Sequence, residues 1–151
     1  MLAYKQTRGW VGMHSLLPPE RTGLRPGSET ILVVEDEEQV RALVRAILER
    51  NGYAVISAGN GMEALSVSGR HEGKIHLLLT DVIMPGMNGA ELARKITPSR
   101  PGMKILFMSG YTDDAILRHG VLNPGTEFIE KPFSPDSLAR KVRRVLDAGE
   151  A

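Results

Sequence analysis

Short apolar runs alternate with segments of helical period along most of the chain. The runs are Ile31–Val34, "YAVISA", "IHLLLT", "MKILFMS" and "TEFIE", and their starts lie roughly 22 to 28 residues apart. None alternates apolar with polar, so each predicts a strand covered on both faces. After the first run, "EEQVRALVRAILERNG" puts Val40, Leu43, Val44, Ile47 and Leu48 at three- and four-residue spacing. That spacing predicts one apolar helical face, and Gly52 after Asn51 predicts its stop. "GMEALSVSG" predicts a short second helix, and "GAELARKIT" a third with Leu92 and Ile96 on one face. "TDDAILRHG" predicts a fourth, capped by Thr112. In "SPDSLARKVRRVLDAG", Ser134 fits an N-cap and Pro135 the first helical position, with a stripe of Leu138, Val142, Val145 and Leu146. Five strands alternating with five helices predict an α/β domain built on an open parallel sheet.

The rest of the chain changes this picture little. Residues 1–29 show no sustained period, and "LLPPERTGLRPGSE" reads as an N-terminal tail or linker, with room for a short helix or turn around Trp10. The domain is expected over 30–148, with 149–151 as a C-terminal tail. The last helix ends near Ala148, so no second domain is expected. At 151 residues, 42% hydrophobic and 25% charged, the composition is globular. A net charge of +1 predicts no strong pull toward nucleic acid or acidic lipid. There are no cysteines, which excludes disulfides and thiol chemistry and fits a reducing compartment. No apolar run reaches the roughly 18 residues of a membrane span, and no signal peptide is evident. A cytoplasmic protein without a membrane role is the expectation.

Chemistry collects where an open α/β sheet binds ligands, at the carboxyl ends of the strands. The first strand ends in "EDEE" (Glu35–Glu38), the third in Asp81, the fourth in Ser109–Gly110 and the fifth in "EKPF" with Lys131 and Pro132. If these strands are neighbours, Glu35, Asp36 and Asp81 converge. Like charges about 5 Å apart repel by about 3 kcal/mol at an effective dielectric near 20. Such a cluster calls for a cation, and oxygen donors without His or Cys favour Mg²⁺. Lys131 adds a second positive charge and Ser109 a hydroxyl donor, parts suited to phosphoryl transfer. Each residue alone has a plainer explanation: "EDEE" favours a helix macrodipole, Ser109 fits a turn and Lys131 a surface.

Together, "ILVVEDEE", "LLLTDVIMPGMNGAEL", "ILFMSGY" and "FIEKPF" resemble the receiver domain of two-component response regulators over Thr30 to about Ala148. The resemblance implies a flavodoxin-like (βα)5 fold with strand order 2-1-3-4-5. It implies a phosphoacceptor switch that takes a phosphoryl group from a histidine kinase or histidine phosphotransfer protein. In that family's terms Asp81 is the phosphoacceptor and Lys131 the phosphate-pairing lysine. Asp36 is the direct Mg²⁺ ligand, Glu35 acts mainly through water, and the Ile83 backbone carbonyl is the third protein ligand. Ser109 is the switch hydroxyl, Phe128 the aromatic switch, and Lys131–Pro132 a bond that is usually cis. Glu35 stands where Asp is frequent, and Phe128 where Tyr is frequent. A downstream protein would read the face of the fourth helix, fifth strand and fifth helix, and that face allows a phosphorylation-dependent homodimer. "SGYTDDAILRHGVL" and "RPGSETILVVEDE" resemble receivers attached to sensor histidine kinases. Direct nucleic-acid binding and independent substrate turnover are not expected.

Ile83 and Tyr111 follow Asp81 and Ser109 by two residues and flank the pocket mouth. Neither carries an acid or amide to orient water, so slow phosphate loss is expected. A flavin-binding flavodoxin would need a hydroxyl- and Gly-rich loop where "EDEE" stands. An aspartyl-phosphate phosphatase would carry a second Asp at Ile83. A docking module without phosphorylation would not need the full acidic, hydroxyl and lysine set. His71, His76 and His119 share no helical face and read as surface or edge residues. Met84, Met87, Met103 and Met108 read as packing and turn fillers.

Overall fold

The structure, a computed structural model, describes residues 27–110 and 126–148. The predicted fourth helix at 112–120, its Thr112 cap and Tyr111 lie outside the described residues. Five strands form one sheet: β1 (Thr30–Val34), β2 (Ala54–Ala58), β3 (Leu77–Asp81), β4 (Lys104–Ser109) and β5 (Phe128–Glu130). All neighbouring pairs are parallel and the order is β2-β1-β3-β4-β5. The helices are α1 (Glu38–Arg50), α2 (Gly61–Arg70), α3 (Gly89–Ile96) and a C-terminal helix (Pro135–Asp147). This is the flavodoxin-like topology that the family resemblance implies.

Each strand divides its side chains between two cores, as the period of two requires. Ile31, Val33, Leu77 and Leu79 pack with Val44 of α1 and Val142 of the C-terminal helix. Leu32, Val34, Leu78 and Phe107 pack with Ala64 of α2 and Leu92 of α3. The central strand β3 is buried along its whole length. It therefore carries Asp81 to the sheet edge on a strand whose side chains are packed into both cores.

The helix ends follow local chemistry. The Asn60 and Asn88 side chains cap α2 and α3 by accepting the Glu63 and Glu91 N–H groups at 2.8 Å. Ser134 and Ser137 close a reciprocal capping box on the C-terminal helix, with Pro135 in its first turn. Gly52 stops α1 with φ 94°, a conformation that favours glycine. One assigned position differs. Leu43, expected on the apolar face of α1, is 53% exposed. It lies at the edge of the stripe, turned away from Val44 and Leu48, which are fully buried.

Arg143 is a buried cation that the apolar stripe of its helix conceals. Its guanidinium donates to the Glu29 carboxylate at 2.6 and 3.3 Å, to Asp147 at 2.8 and 3.2 Å, and to the Tyr53 hydroxyl at 3.3 Å. Gly27 and Glu29 are also tied by backbone bonds, to the Asn51 carbonyl at 2.7 Å and from the Ala54 N–H at 3.0 Å. Burial opposes charge on Glu29, but the Arg143 hydrogen bond wins and holds its carboxyl below the usual 4.5. A depressed acid contributes stability above its unfolded pKa and loses it as pH falls through the folded one. Arg143→Ala is expected to lower unfolding stability at pH 7 by about 2–4 kcal/mol. In denaturant titrations that deficit should shrink below about pH 4, as Glu29 takes up its proton.

Candidate functional site

Strand order brings four strand ends together. β1 and β3 are neighbours, so Glu35 and Asp36, just past Val34, stand beside Asp81. β3 pairs β4 through Asp81 and Met108, and the Val82 N–H continues the ladder to the Met108 carbonyl at 2.9 Å. β4 pairs β5 through Ser109 and Glu130, and the Lys131 N–H donates to the Ser109 carbonyl at 2.8 Å. Lys131, Ser109, Asp81 and Glu35 thus share one edge of the sheet.

The Lys131 ammonium sits between two carboxylates. It donates to Glu35 Oε1 at 2.7 Å and lies 3.1 and 3.2 Å from the two Asp81 oxygens. Glu35 is fully buried. Its second oxygen accepts the Glu37 N–H at 3.0 Å, so both oxygens are engaged. Burial works against its charge, yet the Lys131 bond and the Glu37 N–H together hold its carboxyl below the usual range. Asp81 goes the other way. Burial, reinforced by the charge on Glu35, pushes its carboxyl up to about 7, against the pull of Lys131. Lys131 resists the effect of burial because Glu35 and Asp81 both bond it, and its pKa is raised. Glu35 has the shorter contact to the ammonium and also the Glu37 N–H, whereas Asp81 meets both burial and the charge on Glu35.

Glu35, Asp36 and Asp81 each offer a carboxylate oxygen, and the three atoms lie within 4.8 Å of one another. Asp36 is exposed, on the open side of the cluster. This all-oxygen set fits a hard divalent cation such as Mg²⁺. The floor is rigid. The Gly89 N–H donates to the Val82 carbonyl at 2.8 Å, and a Cβ on Gly89 would collide with the Asp81 carbonyl. Gly86, with φ 76°, turns the loop between β3 and α3. Ile83 is 50% exposed on that loop, whereas Val82 is fully buried.

Of the other predicted residues, Ser109 is buried at the tip of β4. Phe128 is half-buried against the core that holds Phe107. The Lys131–Pro132 bond is cis. Two functional contacts escaped the sequence: the Glu37 N–H on Glu35, and an Arg41 hydrogen bond to the Glu35 carbonyl. Arg41 follows Asp36 by five residues, which puts it at the end of the first turn of α1, reaching back to the Glu35 carbonyl. His76, read as a surface or edge residue, accepts the Thr30 N–H on Nδ1 at 3.0 Å.

A doubly wound parallel sheet with acids from two strands and a lysine from a third on its carboxyl edge defines a flavodoxin-like α/β protein with a charged cluster at that edge. The family model for the response regulator receiver domain matches residues 31–143. The Brucella abortus sensor kinase CckA is 38% identical over 80% of this chain, which spans 13% of that kinase. The response regulator receiver protein CpdR of the same organism is 34% identical over 78% of the chain and 97% of its own length. The chain spans about half the length of other relatives that it matches. The solved structure of Vibrio cholerae CheY4 superposes with a TM-score of 0.70 at 27% identity, covering 79% of this chain and 99% of CheY4. The chain belongs to the response regulator receiver domain family. Such domains are signalling modules of two-component systems, related to histidine kinases and downstream partners, rather than enzymes that turn over a substrate. Among the described residues, no helix is long and apolar enough to cross a membrane.

The raised Asp81 pKa has a stability consequence in metal-free protein. The folded state holds its proton more tightly than the unfolded state, so this group costs stability as pH rises from about 4 to about 7. Asp81→Asn should therefore be more stable than wild type by about 1–3 kcal/mol at pH 8 in EDTA. In thermal or denaturant melts, the gap should close below about pH 4.

Proposed function

We propose that this chain is a phosphoacceptor switch whose nucleophile is Asp81. The observation that carries this reading is the Lys131 ammonium poised between Glu35 and Asp81. An Asp81 oxygen attacks phosphorus, the P–N bond to the donor histidine breaks, and the histidine keeps the nitrogen lone pair and takes up a proton. Lys131 then pairs with the new phosphoryl oxygens. Asp36 would hold Mg²⁺ directly with Asp81 and the Ile83 carbonyl, and Glu35, whose oxygens are engaged by Lys131 and the Glu37 N–H, would act through water. When bound, the metal supplies positive charge that offsets the carboxylates and the transferring group.

Ser109 would hydrogen-bond the phosphoryl group and draw the end of β4 toward it. Phe128 would follow the vacated space, reshaping the face of β5, the C-terminal helix and the fourth helix expected from the sequence for a protein partner or a second copy. The donor is a histidine kinase or a histidine phosphotransfer protein, and the setting is the cytoplasm. Ile83, half-exposed on the loop after β3, offers no group to orient water, and neither does Tyr111 by its side-chain type. The phosphoryl group is therefore lost slowly.

Incubation with MgCl₂ and acetyl phosphate, followed by intact mass measurement, should show one phosphoryl adduct that Asp81→Asn abolishes. Decay of the adduct should quicken in Ile83→Asn. No adduct on wild type, or an adduct that survives Asp81→Asn, would contradict the reading.

A further inference from the structure

The acidic loop between β1 and α1 is held by a residue that lies beyond it. The Arg41 Nη1 donates to the Glu35 carbonyl at 2.7 Å. The Arg41 N–H meanwhile donates to the Glu37 carbonyl at 2.9 Å, so the helix that starts at Glu38 fixes the backbone from which that side chain leaves. The guanidinium crosses above Gly59, where even a Cβ would come within 3.2 Å of Nη1. A larger residue at 59 would crowd the path that Arg41 takes from α1 to the end of β1.

The other atoms of Glu35 are fixed as well. Its N–H donates to the Ala58 carbonyl at 3.2 Å, one carboxylate oxygen takes Lys131 and the other the Glu37 N–H. The peptide joining Glu35 to Asp36 is thereby set at its carbonyl by Arg41. Asp36 projects from that peptide, and its carboxylate oxygen falls within 4.8 Å of those of Glu35 and Asp81. The direction of the exposed acid follows from the plane of the peptide that precedes it.

We propose that Arg41 is a positioning residue for the cation site: it orients the Glu35–Asp36 peptide and so aims Asp36 at the metal. The inference rests on the reading of Glu35, Asp36 and Asp81 as the Mg²⁺ site. Its sign is distinctive. A guanidinium beside a cation site repels the cation, so charge alone predicts tighter Mg²⁺ binding when Arg41 is neutralised. Positioning predicts the reverse, because outer partners that orient ligands commonly govern metal affinity by tenfold or more.

The test is a MgCl₂ titration of the full chain, read from backbone amide shifts of the acidic loop. Wild type, Arg41→Met and Arg41→Lys are compared, with the melting temperature of each taken in EDTA. Arg41→Met keeps the apolar stem but loses donor and charge, and its Mg²⁺ dissociation constant should rise about tenfold. Arg41→Lys restores a charged donor one bond shorter than Arg41 Nη1 and should recover part of the lost affinity, whatever the order of melting temperatures. Arg41→Met that binds Mg²⁺ as tightly as wild type, or more tightly, overturns the proposal. So does Arg41→Lys that binds as weakly as Arg41→Met. Absence of Mg²⁺ binding by wild type would instead remove the metal-site reading and the inference with it, and it shows in the first titration.

Discussion

The ammonium of Lys131 is what makes the acidic edge of this sheet tolerable. Two buried carboxylates, Glu35 and Asp81, face each other at the ends of adjacent strands, and one cation is divided between them. Two negative charges and one positive leave the pocket short of a charge. Glu35 takes the shorter bond and remains an acid of depressed pKa, whereas Asp81 is pushed up to about 7. On the proposed reading, a cation bound beside Asp81 would supply the missing charge.

The remainder of the fold keeps this balance in place. Leu77, Leu78 and Leu79 are fully buried and divide between two cores, so β3 cannot slide or tilt without disturbing both layers of helices. A parallel sheet delivers all carboxyl ends to one edge, which is why residues as distant in sequence as Glu35 and Lys131 meet. At the loop after β3, Gly89 lets α3 approach the Asp81 carbonyl closely. At the opposite corner, the Arg143 cluster ties Glu29 to the C-terminal helix. The family match ends at that arginine and starts two residues after that glutamate, so the ion pair closes the domain on itself.

The inner strands β1, β3 and β4 were legible because a strand covered on both faces is apolar, and such runs stand out from their surroundings; β2 and β5, at the sheet edges, are only partly buried. The helices were legible from period, and Ser134 and Gly52 from the demands of helix ends. The candidate site was partly legible. Strand ends told which residues face the functional edge, but neighbourhood along that edge needed the strand order, which periodicity does not contain and the family resemblance supplied. Two charged helix residues with tertiary partners were not legible. Arg143 and Arg41 look in sequence like solvated helix positions, because their acceptors, the Glu29 carboxylate and the Glu35 carbonyl, are set by packing rather than by local pattern. Leu43 failed for the opposite reason: an apolar side chain at the margin of a stripe is placed by how the helix rolls on the sheet.

The central claim is that Asp81 is a buried acid held short of positive charge and released by a cation. A ¹³C NMR titration of its side-chain carboxyl, with and without MgCl₂, tests this most directly. The account predicts a midpoint near 7 in metal-free protein, falling well into the ordinary carboxylate range when Mg²⁺ is present. A midpoint near 4 in metal-free protein, or one that Mg²⁺ leaves unmoved, would contradict it.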